Sequence, residues 1–142
     1  MKISADGSVQ WYKKYVNSKI NDAGMDVAET EDNGFIVTGA IESFGSGFVD
    51  AFLLKTDADG NVEWLKTYGG SDYEGGAAVH QMPDKGYIVI GRTRSSGAGA
   101  DDFYLFKTDK DGNHEWSEAY GGNSNNLAWS GQLTTDGGFI MA

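Results

Sequence analysis

A 52-residue period governs this chain. GFIVTG at 34–39 recurs as GYIVIG at 86–91 and, cut short, as GFIMA at 138–142, so Phe35, Tyr87 and Phe139 stand 52 residues apart. DAFLLKTD at 50–57 recurs as DDFYLFKTD at 101–109. WLKTYGG at 64–70 recurs as WSEAYGG at 116–122 and, with the glycines lost, as WYKKY at 11–15. A period of about 50 residues marks a repeat architecture, in which each unit buries its apolar faces only against its neighbours.

Each unit reads as four strands. The first is small and mixed: MDVAET (25–30), GAAVHQM (76–82), LAWSGQL (127–133). A turn of the type EDNG, PDKG or TDGG leads to the second strand, GFIVTG or GYIVIG. A Gly/Ser loop leads to the third, AFLLKT or FYLFKT, and an Asp-Gly turn leads to the fourth, NVEWLKTY or NHEWSEAY. The second and third strands are nearly continuous apolar runs, as in strands covered on both faces. Helical spacing of apolar residues is absent, and 21 Gly with 13% aromatic residues suit short strands and tight turns. The expected fold is all-β: a β-propeller with four-stranded antiparallel blades. The first strand of each blade would line the crowded central channel, which suits Ala28, Gly76, Ala77 and Ala78 but not Trp129. The fourth would be the outer edge, with Lys13, Lys14, Lys66 and Glu118 discouraging edge pairing.

At these motifs, G[FY]IV.G, D.[FY]L.KTD..GN..W and YGG, the chain resembles the repeats of bacterial and archaeal kelch-like β-propeller proteins. The resemblance covers essentially the whole chain. It implies the fold and leaves the function open, since propellers host many functions.

The repeat divides the chain into a half blade at 1–15, blades at 16–68 and 69–120, and a half blade at 121–142. The first half supplies a third and fourth strand and the last supplies a first and second, so between them they would complete one blade. Three blades cannot close a ring that takes about four to eight. Two chains give six, and a homodimer with two hybrid blades is the expectation, against the alternative that the sequence is a segment of a longer propeller gene.

The opening of TDADGNVEW (56–64), TDKDGNHEW (108–116) and the worn SADGSVQW (4–11) suggests calcium. An EF-hand loop places Gly at its sixth position and Glu at its twelfth. Counted from Asp57, Gly60 is fourth and the twelfth residue is Tyr68; counted from Asp109, Gly112 is fourth and the twelfth is Tyr120. A hairpin turn is the better reading, with Gly60 or Asn61 at positive φ, Asp59 bonding backbone N–H groups, and Trp64 packed beneath. The stretch is similar to the Asp-box of sialidase-type propellers, with its Gly one position early. That box is structural in its family. Neither metal nor cofactor is expected.

Formal charge is −10, which argues against nucleic-acid binding and against acidic membrane surfaces. No apolar run approaches the roughly 18 residues that span a bilayer. No leader is visible; the expected compartment is cytoplasmic for a complete chain and extracellular for a segment of a surface protein. Absence of Cys removes thiolate metal sites and disulfides.

The sequence holds no nucleophile elbow, HExxH or P-loop. His80 and His114 do not recur, and the only arginines are Arg92 and Arg94, too few for the arginine triad of a sialidase. Asp50 and Asp102 precede the third strand in both full units and read as loop anchors. Residues that do not recur gather in two loop sets, one between units and one between second and third strands. These share one face of a propeller, where a rigid scaffold displays binding residues. Asp22, Asp72, Tyr73, Glu74, Arg94, Asn126 and Trp129 are the candidate ligand-binding residues. The expected function is a non-catalytic, self-assembling scaffold or binding module for protein, peptide or glycan. The alternatives are a propeller hydrolase or lyase with channel carboxylates, and a structural repeat segment of a larger surface protein.

Overall fold

The computed structural model describes residues 1–15, 22–42, 45, 47–98 and 100–142. Among these there is no helix, and twelve strands form antiparallel sheets. β1 (Lys2–Ile3) and β2 (Val9–Trp11) form a two-stranded hairpin. β3 (Ala23–Glu29), β4 (Phe35–Ile41), β5 (Asp50–Thr56) and β6 (Val62–Tyr68) form a four-stranded sheet in chain order. β7 (Glu74–Gln81), β8 (Tyr87–Thr93), β9 (Asp102–Thr108) and β10 (His114–Tyr120) form a second. β11 (Gly131–Leu133) and β12 (Phe139–Met141) form a last hairpin. The two full sheets share one register: Phe35 faces Thr56 across β4 and β5, and Tyr87 faces Thr108 across β8 and β9.

The two full sheets stack, with β7 packed on β3, β4 and β5. Their shared core joins Ile36, Leu53 and Tyr68 to Val79, Tyr87, Val89 and Phe106. β5 is buried along its whole length, as the unbroken apolar run AFLL requires. A second cluster, Ala78, Ile88, Ile90 and Leu105, is covered by Phe139 and Met141 of the last hairpin. A third, Ile41, Phe52 and Leu54, meets Tyr15, which follows the first hairpin. The order of layers is therefore β1–β2, sheet one, sheet two, β11–β12.

The stacking repeats along with the sequence. Trp64 meets the Tyr87 ring edge-on at 5.9 Å and 61°, and Trp11 meets Phe35 at 5.9 Å and 67°. Lys66 Nζ donates to Asn113 Oδ1 at 2.8 Å, and Lys13 Nζ donates to Asn61 Oδ1. A Cβ on Gly112 would sit 2.8 Å from the Trp64 ring, and one on Gly60 the same distance from Trp11. The recurring Trp thus lies against the Asp-Gly turn of the next unit.

One detail of the turns and one strand length differ from expectation. Gly60 and Gly112 take φ of 73° and 74°, but the bonding carboxylate is Asp57 rather than Asp59: Asp57 Oδ1 accepts from Asp59 N at 2.9 Å and Asn61 N at 2.8 Å. The first residue of the loop reaches forward over the turn, whereas Asp59 sits in the turn itself and donates its N–H to it. In the worn copy Ser4 replaces that carboxylate, and Asp6 accepts from Ser8 N at 3.0 Å instead. In the third unit the first strand is shorter than 127–133, because Trp129 and Ser130 bond Ala142 O before the ladder of β11 begins.

The turns between first and second strands hold Asn33 at φ 63° and Lys85 at φ 69°, where the third unit has Gly137 at φ 86°. Lys85 is exposed, and its 3.8 Å pair with Glu31 joins two well-solvated side chains, which contributes little. Lys85→Gly is therefore expected to raise stability by about 0.5–1 kcal/mol in urea unfolding, by removing left-handed strain from a non-Gly residue.

Turn carboxylates also set the acid limit. The hydrogen bond from Lys55 brings the Asp32 carboxyl down to about 2, and the Ser4 hydroxyl does the same for Asp6. Asp84 is lowered by Lys107, Asp136 by Thr134, and Asp57 and Asp109 by Asn61 and Asn113. Depressed folded values mean stability that is present above the unfolded value, near 4, and lost as pH falls through the folded one. Thermal unfolding followed against pH should be flat from neutrality to about pH 4 and fall between about pH 4 and 2.

Candidate functional site

The two loop sets meet. The main chain of Asp72 accepts from Phe48 N at 3.1 Å and Val49 N at 3.2 Å, and Glu74 N donates back to Val49 O at 2.8 Å. Arg94 N donates to Tyr73 O at 2.8 Å, and Asn126 N to Asp101 O at 2.6 Å. The loop between units is thereby laced to the loops of both neighbouring sheets.

Side chains centre on Arg92 at the loop end of β8. Its guanidinium lies over the Tyr73 ring at 4.4 Å and 5.9 Å from the Trp129 ring. Arg94 lies 5.6 Å from the same Tyr73 ring. Arg94 is neutralised: Nε donates to Asp101 Oδ1 at 3.0 Å and Nη2 to Oδ2 at 3.1 Å, and these bonds raise it above its ordinary value. Asp101 is buried, so this two-pronged pair is well held. Arg92 reaches Asp101 only at 4.0 Å, and its side chain makes no hydrogen bond among the described residues. Arg92, Tyr73 and Trp129 line a cavity of about 200 Å³ together with Glu42, Val49, Met25 and small residues of β3 and β7.

Of the candidate residues, Tyr73, Arg94 and Trp129 come together here. Asp72 contributes mainly backbone to the lacing. Glu74 is buried under the loops: it accepts from Gly70 N at 2.5 Å, Thr93 Oγ1 at 2.6 Å and Ser95 N at 3.2 Å. Asn126, its counterpart 52 residues on, accepts from Gly122 N at 3.0 Å. Asp22, the counterpart one unit back, accepts from Glu42 N at 2.9 Å. These three hold loops in place. Of the loops that the sequence marked, 16–21, 43, 44, 46 and 99 lie outside the described residues.

Arg92 and Asp101 were missed, and a signal existed for both. Subtracting one period gives Ala40 and Val49. One apolar position on the second strand and one just before the third therefore become a base and an acid in the second unit, and Glu42 becomes Arg94. Paired departures from a repeat point to a site more sharply than exposed polarity does.

The buried acids outside this cluster act as braces. Asp102 Oδ2 accepts from Ala98 N at 2.8 Å and Asp50 Oδ2 from Gly47 N at 3.3 Å. A Cβ on Gly69 would lie 2.2 Å from Asp50 Oδ1 and 2.6 Å from Glu74 Oε2, so two carboxylates converge there, each about 1% exposed. His80 Nε2 donates to Gly131 O at 2.7 Å, tying β7 to β11, and His114 is exposed on β10. Among the described residues no group of three or more His, Cys, Asp or Glu gathers to hold a metal ion. No protein-family model and no curated protein matches the chain.

Proposed function

We propose that the chain is half of a six-bladed β-propeller closed by two copies, a non-catalytic scaffold that presents a ligand-binding face at the Arg92 cluster. The kelch-like repeat resemblance supports the fold reading, and so do two stacked four-stranded sheets of identical register. Glu74 spends its carboxylate on three hydrogen bonds to its own loops, which favours a binding role over hydrolase or lyase chemistry.

The observation that carries closure is an ion pair present twice and split once. Lys55, only 4% exposed, bridges Asp32 at 2.8 Å and Glu63 at 3.0 Å. Lys107 bridges Asp84 at 2.8 Å and pairs with Glu115. In the same register Lys2 of β1 is the third lysine and Asp136, before β12, the third aspartate. Asp136 is already oriented by Thr134 and Gly138 N, as Asp32 is by Thr30 and Gly34 N. Lys2 and Asp136 make no ion pair among the described residues, and their hairpins lie at opposite ends of the stack. A second copy supplies each with the other, placing β1 beside β12.

Lys2→Glu and Asp136→Lys are each expected to weaken association by about tenfold, and the two combined in one chain to restore most of it. Sedimentation across a concentration series reads this. Single variants that associate as the wild type does, or a double variant as weak as the singles, would contradict the hybrid sheet.

A further inference from the structure

We propose that the cavity at Arg92 is a binding site for a small carboxylated sugar of the uronic acid class. The proposal rests on the loop face being a binding face, but not on ring closure, since all the residues it uses belong to one chain.

Two guanidiniums share one buried carboxylate, and the geometry assigns that carboxylate to Arg94. Arg92 is left as a cation with a free fork in a protein whose formal charge is −10. Its side chain is 27% exposed, so its donors are partly desolvated yet reachable. Tyr73 supports its planar face at 4.4 Å, which fixes the direction of the fork. A planar fork with unused N–H donors matches a carboxylate, which accepts two parallel hydrogen bonds.

The rest of the lining sets the remainder of the ligand. Trp129 is 64% exposed at the cavity rim and interrupts a series of small residues. Its ring face can stack on the flat C–H face of a pyranose. Glu42 also lines the cavity and accepts hydrogen bonds, so it suits the hydroxyl groups of a ligand whose carboxylate is held at Arg92. A single carboxylate, a flat apolar face and several hydroxyls describe a uronic acid. A volume of about 200 Å³ admits one such ring.

Calorimetric titration of the full chain with sodium glucuronate tests this, with glucose and inorganic phosphate as companion probes at low salt. Saturable binding of glucuronate is expected, with neither companion competing at equal concentration. Arg92→Gln should weaken it at least about tenfold, Arg92→Lys should recover only part of that loss, and Trp129→Ala should weaken it without abolishing it. Circular dichroism on each variant confirms the fold. Absence of saturable binding by about 10 mM glucuronate would overturn the proposal. So would glucose or phosphate binding as well as glucuronate, or Arg92→Gln binding as the wild type does. The mass of the same samples separates failure of this site from failure of ring closure.

Discussion

Replacing Phe106 by alanine is expected to cost about 4 kcal/mol. Phe106 is fully buried on β9, between Val89 of β8 and Ser117 of β10. Its ring packs on Tyr68 of the other sheet at 4.7 Å and on Tyr104 at 5.3 Å. Removing it opens a void that both four-stranded sheets line, and neither can move in without breaking a ladder. Domains of this size have about 5–15 kcal/mol in total, so the urea midpoint should fall by about a quarter or more. A loss under about 1 kcal/mol would mean that the two sheets do not share a core.

Gly91→Ala should cost about 3 kcal/mol, for a different reason. A Cβ on Gly91 would stand 1.9 Å from the carbonyl oxygen of Gly75 and 3.0 Å from the Gly76 Cα. Both obstacles are backbone in the paired strand, beside the bulge between Gly76 and Ala78, so no rotamer change relieves them. Gly39 has the same geometry against Ala23 O, also at 1.9 Å, and Gly39→Ala should behave alike. Gly122 meets nothing within 4 Å, and Gly122→Ala is the matched control, expected within about 0.5 kcal/mol of wild type. Equal effects at Gly91 and Gly122 would remove the steric explanation for the closing glycine of G[FY]IV.G.

Most strands were legible because one period repeats three times and its apolar runs have only one way to be covered on both faces. FIV and FLL fell on β4 and β5 and YIV and YLF on β8 and β9, with the turns where Asp and Gly placed them. What could not be read was the direction of side chains across units. Trp64 looked like a residue beneath its own turn, yet it packs on Gly112 and Tyr87 of the next. Glu74 looked like an exposed loop acid, yet three hydrogen bonds draw it under the loop that it anchors. Polarity in a loop does not distinguish a brace from a ligand contact. Arg92 went unread for the opposite reason, because it closes an apolar strand and its meaning depends on Tyr73 and Trp129, far away in sequence but adjacent in space. Comparing each residue with its copy one period away would have exposed it.

The proposed ring stands on the fit between the split Lys2–Asp136 pair and its two intact counterparts. Light scattering coupled to size exclusion, on the 142-residue chain at micromolar concentration, tests that most directly. A ring of two copies predicts a single species of twice the 15.3 kDa chain mass. A stable monomer of 15.3 kDa, or three copies together, would contradict it.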